Sequence, residues 1–145
     1  MSRRVLVLSG PNLNLLGERN PEVYGTATLA THEATVRDIL EPAGVTVDHV
    51  QSNSEATLIE TIHAARSTTS AIIFNPGALT HSSWALRDAL ECFDGTVIEV
   101  HLSNPAAREP FRHLSTVAGA VTGSIAGFGS FSYELAAYAV LRTLS

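Results

Sequence analysis

RVLVLS, from Arg4 to Ser9, decides the fold, together with GPNLN, from Gly10 to Asn14, which follows it. An apolar run this short, rich in leucine and valine and closed by Gly-Pro, reads as a buried strand. Parallel strands are buried on both faces, and their helices supply the covering layers. The rest of the chain repeats the pattern, with short β-branched runs alternating with helical periodicity.

Thr31 to Pro42 places Val36, Ile39 and Leu40 at helical spacing, with Gly44 as a stop signal. Val45 to Val50 reads as a second strand. Ser54 suits the cap of a helix carrying Leu58, Ile59, Ile62 and Ala65 on one face. Ala71 to Phe74 is expected as a third strand and His81 to Phe93 as a helix. Thr96 to Leu102 is expected as a fourth strand, Ala120 to Ile125 as a fifth, and Tyr133 to Leu144 as a closing helix. This alternation predicts an α/β protein with a flavodoxin-like three-layer sandwich around a five-stranded parallel sheet. A length of 145 residues suits one domain, residues 1–145.

Open α/β sheets carry their sites beyond the carboxyl ends of the strands. Here those ends hold Asn12 and Asn14, then Gln51 to Asn53, then Asn75 with Gly77 and Ala78, then Glu99, His101, Ser103 and Asn104. Turn chemistry alone explains one such end. Four ends carrying amides or imidazole point to a polar pocket.

Composition removes several chemistries. A net charge of −5 disfavours a nucleic-acid partner, and no apolar run is long enough for a membrane span. The single cysteine, Cys92, fits a reducing, cytoplasmic setting and is expected to be a buried, inert thiol in its helix. All nine basic residues are arginine. Without lysine there is no lysine Schiff base and no Gly-Lys-Ser/Thr phosphate loop. The six histidines show no metal-ligand spacing, so no metal is expected.

Gly17 to Gly25 (GERNPEVYG) is long, polar and bounded by glycines, as a mobile lid would be. Its Arg19 and Tyr24 could also be a solvated arginine and a packing anchor. His101 follows Glu99 by two residues on one strand face, where a carboxylate would orient the imidazole. A purely structural pair would look the same. His81 follows Thr80 at an expected helix start. His32, His49, His63 and His113 read as structural or solvated. Arg108 and Arg112 would point the same way if Ala106 to Arg112 formed a helical turn, and would set a local positive field.

Together, GPNLNLLGERNPEVYG (Gly10 to Gly25), QSN (Gln51 to Asn53), NPGALTHSSWALRDAL (Asn75 to Leu90) and EVHLSNPAAREPFRH (Glu99 to His113) resemble type II 3-dehydroquinate dehydratase, the shikimate-pathway enzyme. The resemblance implies a flavodoxin-like fold, no cofactor, and a homododecamer built from trimers. It implies Tyr24 as the base that removes a proton from carbon 2. It implies Arg19 as the group stabilising charge, and His101, held by Glu99, as the acid protonating the departing hydroxyl. Asn12 would place a water near the enolate. Asn75, His81 and Arg112 would bind ring hydroxyls, while Ser103 and the Leu102 backbone would cradle the carboxylate. Arg108 would support Tyr24, with Gly77 and Ala78 in the adjoining loop, and Asp88 would reach a neighbouring subunit's site. Leu79, Trp84, Leu114 and Ser132 depart from the family's usual residues, which bears on subunit contacts and the pocket rim. A flavodoxin-like binding module without catalysis is the other reading. It lacks support in Pro11 to Asn14, which has none of the closely spaced glycines of a phosphate turn.

Overall fold

A computed structural model describes residues 3–144. Five strands form one parallel sheet: β1 (Arg3–Ser9), β2 (Val45–Gln51), β3 (Ala71–Asn75), β4 (Thr96–His101) and β5 (Gly123–Ala126), in the order β2-β1-β3-β4-β5. All four pairings are parallel. The helices are α1 (Pro21–Tyr24), α2 (Leu29–Leu40), α3 (Glu55–Ala65), α4 (Trp84–Glu91) and α5 (Phe131–Leu144).

Strand alternation divides the core into two layers. Val5 and Val7 face one cluster with Val36, Leu40, Ala136 and Val140, from α2 and α5. Leu6 and Leu8 face the other with Leu58, Ile62, Leu86 and Leu90, from α3 and α4. The three-layer α/β sandwich expected from the sequence is therefore present.

Local chemistry sets the helix ends. The hydroxyls of Thr28, Ser54 and Ser83 accept from the N–H groups of Thr31, Thr57 and Leu86, capping α2, α3 and α4. Thr28 starts α2 at Leu29, two residues before the expected Thr31. The expected helix from His81 to Phe93 is split. Gly77–His81 makes a 3-10 turn, and Ser83 then caps a shorter α4. Ala118–Ala120 is likewise a 3-10 turn, so β5 begins at Gly123 rather than Ala120. The closing helix begins at Phe131, two residues before the expected Tyr133.

Cys92 overturns its expectation. It is exposed just beyond α4, with its thiol against the Asp88 carbonyl. Leu86, Ala89, Leu90 and Phe93 fill the buried face without it.

The loops after β1 and β3 pack backbone to backbone at the sheet's carboxyl edge. A Cβ on Gly10 would lie 2.4 Å from the Pro76 carbonyl oxygen. Gly77 has φ +64°, and a Cβ there would meet the Pro11 oxygen at 3.0 Å. Glycine is required at both positions because no side chain fits between the loops. No described helix is long and apolar enough to cross a membrane.

Candidate active site

The β1 loop turns sharply at Asn12, whose φ of 70° is left-handed. Asparagine tolerates this conformation better than other residues with a Cβ. The loop after β2 braces the turn: Asn53 Oδ1 accepts from the Asn12 N–H at 3.0 Å, and Gln51 Nε2 donates to the Gly10 carbonyl at 3.2 Å. The QSN segment thus supports the site without lining it.

Gly17 to Gly25 folds over the edge. Asn20, also left-handed at φ 35°, and Pro21 start the single-turn α1, which presents Tyr24. Arg19 Nη2 donates to the Tyr24 hydroxyl at 3.3 Å, and its guanidinium lies 4.4 Å from the ring centroid. The Arg108 guanidinium lies 5.1 Å from the same centroid. Tyr24 is half-buried and packs against the α2/α5 cluster, so the anchoring and site roles coexist in one side chain.

Glu99 and His101 end β4 on one strand face, as their spacing predicted. His101 Nε2 lies 2.6 Å from Glu99 Oε2. An ionised carboxylate only accepts, so Nε2 carries the proton of this contact. Glu99 is 2% exposed. Burial alone would raise its carboxyl, but hydrogen bonds from His101, Thr80 and Ser115, with the imidazolium's charge, hold it below the usual carboxylate range.

Asn75, at the end of β3, is buried and largely engaged. Its Oδ1 accepts from the Gly77 N–H at 3.1 Å, and its Nδ2 is 3.5 Å from the Tyr133 hydroxyl. His81 Nδ1 lies 2.7 Å from the Leu114 carbonyl. A carbonyl only accepts, so the proton sits on Nδ1 and Nε2 remains available to a ligand.

Ala106 to Arg112 does not form the one helical turn that would have placed Arg108 and Arg112 on a common face. Prolines begin two separate 3-10 turns, Pro105–Ala107 and Pro110–Arg112, with Arg108 extended between them. Both arginines still reach the same cavity. Arg108 Nη1 donates to Ser103 Oγ at 3.1 Å, and Arg112 Nε donates to Glu109 at 3.1 Å. Glu109's own backbone N–H and Arg112 hold its carboxyl below the usual range.

These groups enclose a cavity of about 200 Å³. Its lining brings together Asn12, Arg19, Tyr24, Asn75, Gly77, Ala78, His81, His101, Leu102, Ser103, Arg108 and Arg112. Three of these are arginines and none is a carboxylate, which suits a small anionic ligand. Glu99 stands behind His101. Asp88 lies apart, exposed on α4 and absent from the lining. The sequence reading missed Pro11, Leu13 and Pro105 as lining, and Thr80 and Ser115 as partners of Glu99. Thr80 adjoins His81, a faint signal; nothing in the sequence marks Ser115.

The family model described as Dehydroquinase class II matches residues 3–141. The chain belongs to the class II dehydroquinase family. It is 53% identical over 141 residues to a 3-dehydroquinate dehydratase of Xanthomonas oryzae pv. oryzae (strain PXO99A), covering 97% of this chain and 95% of that one. It is 51% identical over 144 residues to a 3-dehydroquinate dehydratase of Shewanella sp. (strain MR-4), covering 99% of each. Among solved structures, the type II dehydroquinase of Propionibacterium acnes matches with a TM-score of 0.92 and 42% identity, over 98% of both chains.

Proposed function

We propose that this cleft dehydrates 3-dehydroquinate to 3-dehydroshikimate in the shikimate pathway, through an enolate and without a Schiff base. Membership of the class II dehydroquinases supports the activity. The observation that carries the mechanism is the shared cavity. Tyr24 with its two guanidiniums and His101, backed by the Glu99 carboxylate, line one small, lysine-free space.

Tyr24 acts as the base. Its oxygen takes the proton from carbon 2, and the released electron pair moves into the enolate. Arg19 and Arg108 stabilise the negative charge on the phenol oxygen before transfer, and arginine suits the task because it does not give up its own proton. His101 then protonates the hydroxyl as the carbon–oxygen bond breaks, and water leaves. The electron pair of the enolate returns to form the ring double bond. Tyr24 ends protonated and His101 ends deprotonated, so both exchange protons with solvent before the next turnover. Asn12 holds a water by the developing enolate. Asn75, His81 and Arg112 orient ring hydroxyls, while Ser103 and the Leu102 backbone cradle the carboxylate beside Gly77 and Ala78.

Asp88 is exposed on α4 and does not line its own cleft, which supports a role in a neighbouring copy's site within a dodecamer of trimers. The enzyme is proposed to work in the cytoplasm. The test is direct. Purified protein should convert 3-dehydroquinate to an enone that absorbs in the near ultraviolet, and Tyr24→Phe should stop turnover with the far-ultraviolet dichroism unchanged. A flat absorbance trace at high enzyme concentration rejects the activity, and normal turnover in Tyr24→Phe rejects the base.

A further inference from the structure

The Glu99 carboxylate receives more hydrogen bonds than orienting one imidazole requires. Thr80 Oγ1 donates to Oε2 at 2.5 Å. Ser115 Oγ lies 3.0 Å from Oε1, 3.1 Å from Oε2 and 3.0 Å from Thr80 Oγ1. Each hydroxyl has one proton. With Thr80's committed to Glu99, Ser115 can give its own only to the carboxylate or to the Thr80 oxygen.

Both hydroxyls are held in place. Ser115 Oγ accepts from the Ala118 N–H at 3.1 Å. The Thr80 carbonyl accepts from the Thr116 N–H at 2.6 Å and from Thr116 Oγ1 at 3.1 Å. The chain around Ser115 is thereby clamped to the turn carrying Thr80. Neither hydroxyl lines the substrate cavity. Both line a second cavity, of about 240 Å³, which reaches Glu99 and shares His81, His101, Pro105 and Arg112 with the first.

We infer that Thr80 and Ser115 are positioning residues that keep Glu99 a carboxylate aimed at His101, so that the proton of this short contact stays on the imidazole. The inference rests on His101 being the acid of the proposed dehydration. Burial favours the neutral carboxylic acid, and the hydroxyl donors oppose it. Without them a protonated Glu99 would donate to His101 Nε2, leaving a neutral imidazole with no anion to hold its charged form.

The test compares Thr80→Val, Ser115→Ala and their double variant with Thr80→Ser. In each single variant kcat should fall about tenfold with KM within twofold, and in the double about a hundredfold. The acid limb of the kcat–pH profile should move toward neutral in Thr80→Val and return in Thr80→Ser. In protein labelled with carbon-13 at glutamate carboxyls, the Glu99 resonance, assigned by its loss in Glu99→Gln, should protonate at higher pH in the variants. An unmoved Glu99 titration in folded Ser115→Ala overturns the inference, as does a uniform loss of activity with an unaltered pH profile. If Thr80→Val fails to fold, Ser115→Ala and Thr80→Ser decide. If wild-type protein does not dehydrate the substrate yet the Glu99 titration moves as stated, the dehydration reading fails and the positioning of Glu99 stands.

Discussion

Replacing Arg19 by glutamine tests whether charge, rather than packing, is what the lid arginine brings to Tyr24. The guanidinium donates to the phenol oxygen at 3.3 Å. Opposite unit charges at about 4 Å, in an effective dielectric of about 20, attract by about 4 kcal/mol. That figure is an upper bound here, because both side chains are partly exposed and water screens them. Arg108, at 5.1 Å from the ring, remains to carry part of the load. A loss of about 2–3 kcal/mol of selective stabilisation is expected, or about 30- to 150-fold in kcat. Arg19→Lys keeps the charge and gives up the flat contact with the ring, so it should retain more activity than Arg19→Gln. Arg19→Gln combined with Arg108→Gln should fall further than either alone, to near the Tyr24→Phe level. The assay is the initial rate of enone absorbance over a range of 3-dehydroquinate concentrations, with thermal melting as a control for folding. A kcat for Arg19→Gln within threefold of wild type, or equal losses in Arg19→Gln and Arg19→Lys, would refute a Coulombic role.

Acid should destabilise the fold in two stages. Burial lowers the proton affinity of His32 and His49, so their contribution is complete above about pH 6.5 and shrinks as pH falls below it. Glu33, which lies 3.3 Å from His49 and is raised chiefly by burial, titrates with the opposite sign and offsets part of this loss. Glu99, held below its usual range, contributes fully above about pH 4.5 and is lost below that. Thermal melts from pH 7 to pH 3 should show both steps, and His32→Phe, which can keep the 4.9 Å stack on Tyr133, should flatten the first; an unchanged first step would contradict its assignment to His32. In alkali, the Tyr133 phenol is pushed up to about 12 by burial, so stability present below about pH 10 should fall between pH 10 and 12, and Tyr133→Phe should remove that fall. Its hydroxyl contact with Asn75 is long, at 3.5 Å, so at neutral pH the same variant should cost under about 1 kcal/mol in denaturant unfolding. Gly10→Ala forces apart the loops that carry Asn12 and Asn75, and should cost at least about 2 kcal/mol and most of the activity; a stable, active Gly10→Ala would show that the close approach to Pro76 is dispensable.

What could be read from the sequence divides along the range of the interactions involved. RVLVLS declared its burial because a strand covered on both faces cannot hide its apolar run. The pairing of Glu99 with His101 was legible because residues two apart on a strand share a face, whatever the rest of the fold does. Helix starts were less legible. Ser54 was read as a cap, whereas Thr28 and Ser83 compete with neighbouring Thr31 and Ser82, and only the tertiary path selects among them. Cys92 was misplaced because a helical stripe admits several phases at its end, and Phe93 takes the buried position instead.

Convergence through the third dimension was the least visible feature. Arg108 and Arg112 reach one cavity despite the break between them, because Pro105 and Pro110 each reset the chain direction. Ser115 meets Glu99 across a separation of 16 residues through a loop with no periodicity at all. The proposed catalytic groups stood out because their types are chemically conspicuous, and their supports are ordinary hydroxyls that acquire a role only from the buried charge they touch. A carboxylate 2% exposed must be satisfied by donors, so Glu99 itself implied partners that the linear sequence could not name. That makes the environment of Glu99 a sharper test of the proposed chemistry than Tyr24. A phenol on a lid serves packing or catalysis equally well, whereas a buried carboxylate that accepts from two hydroxyls behind one imidazole is built to hold and aim that imidazole.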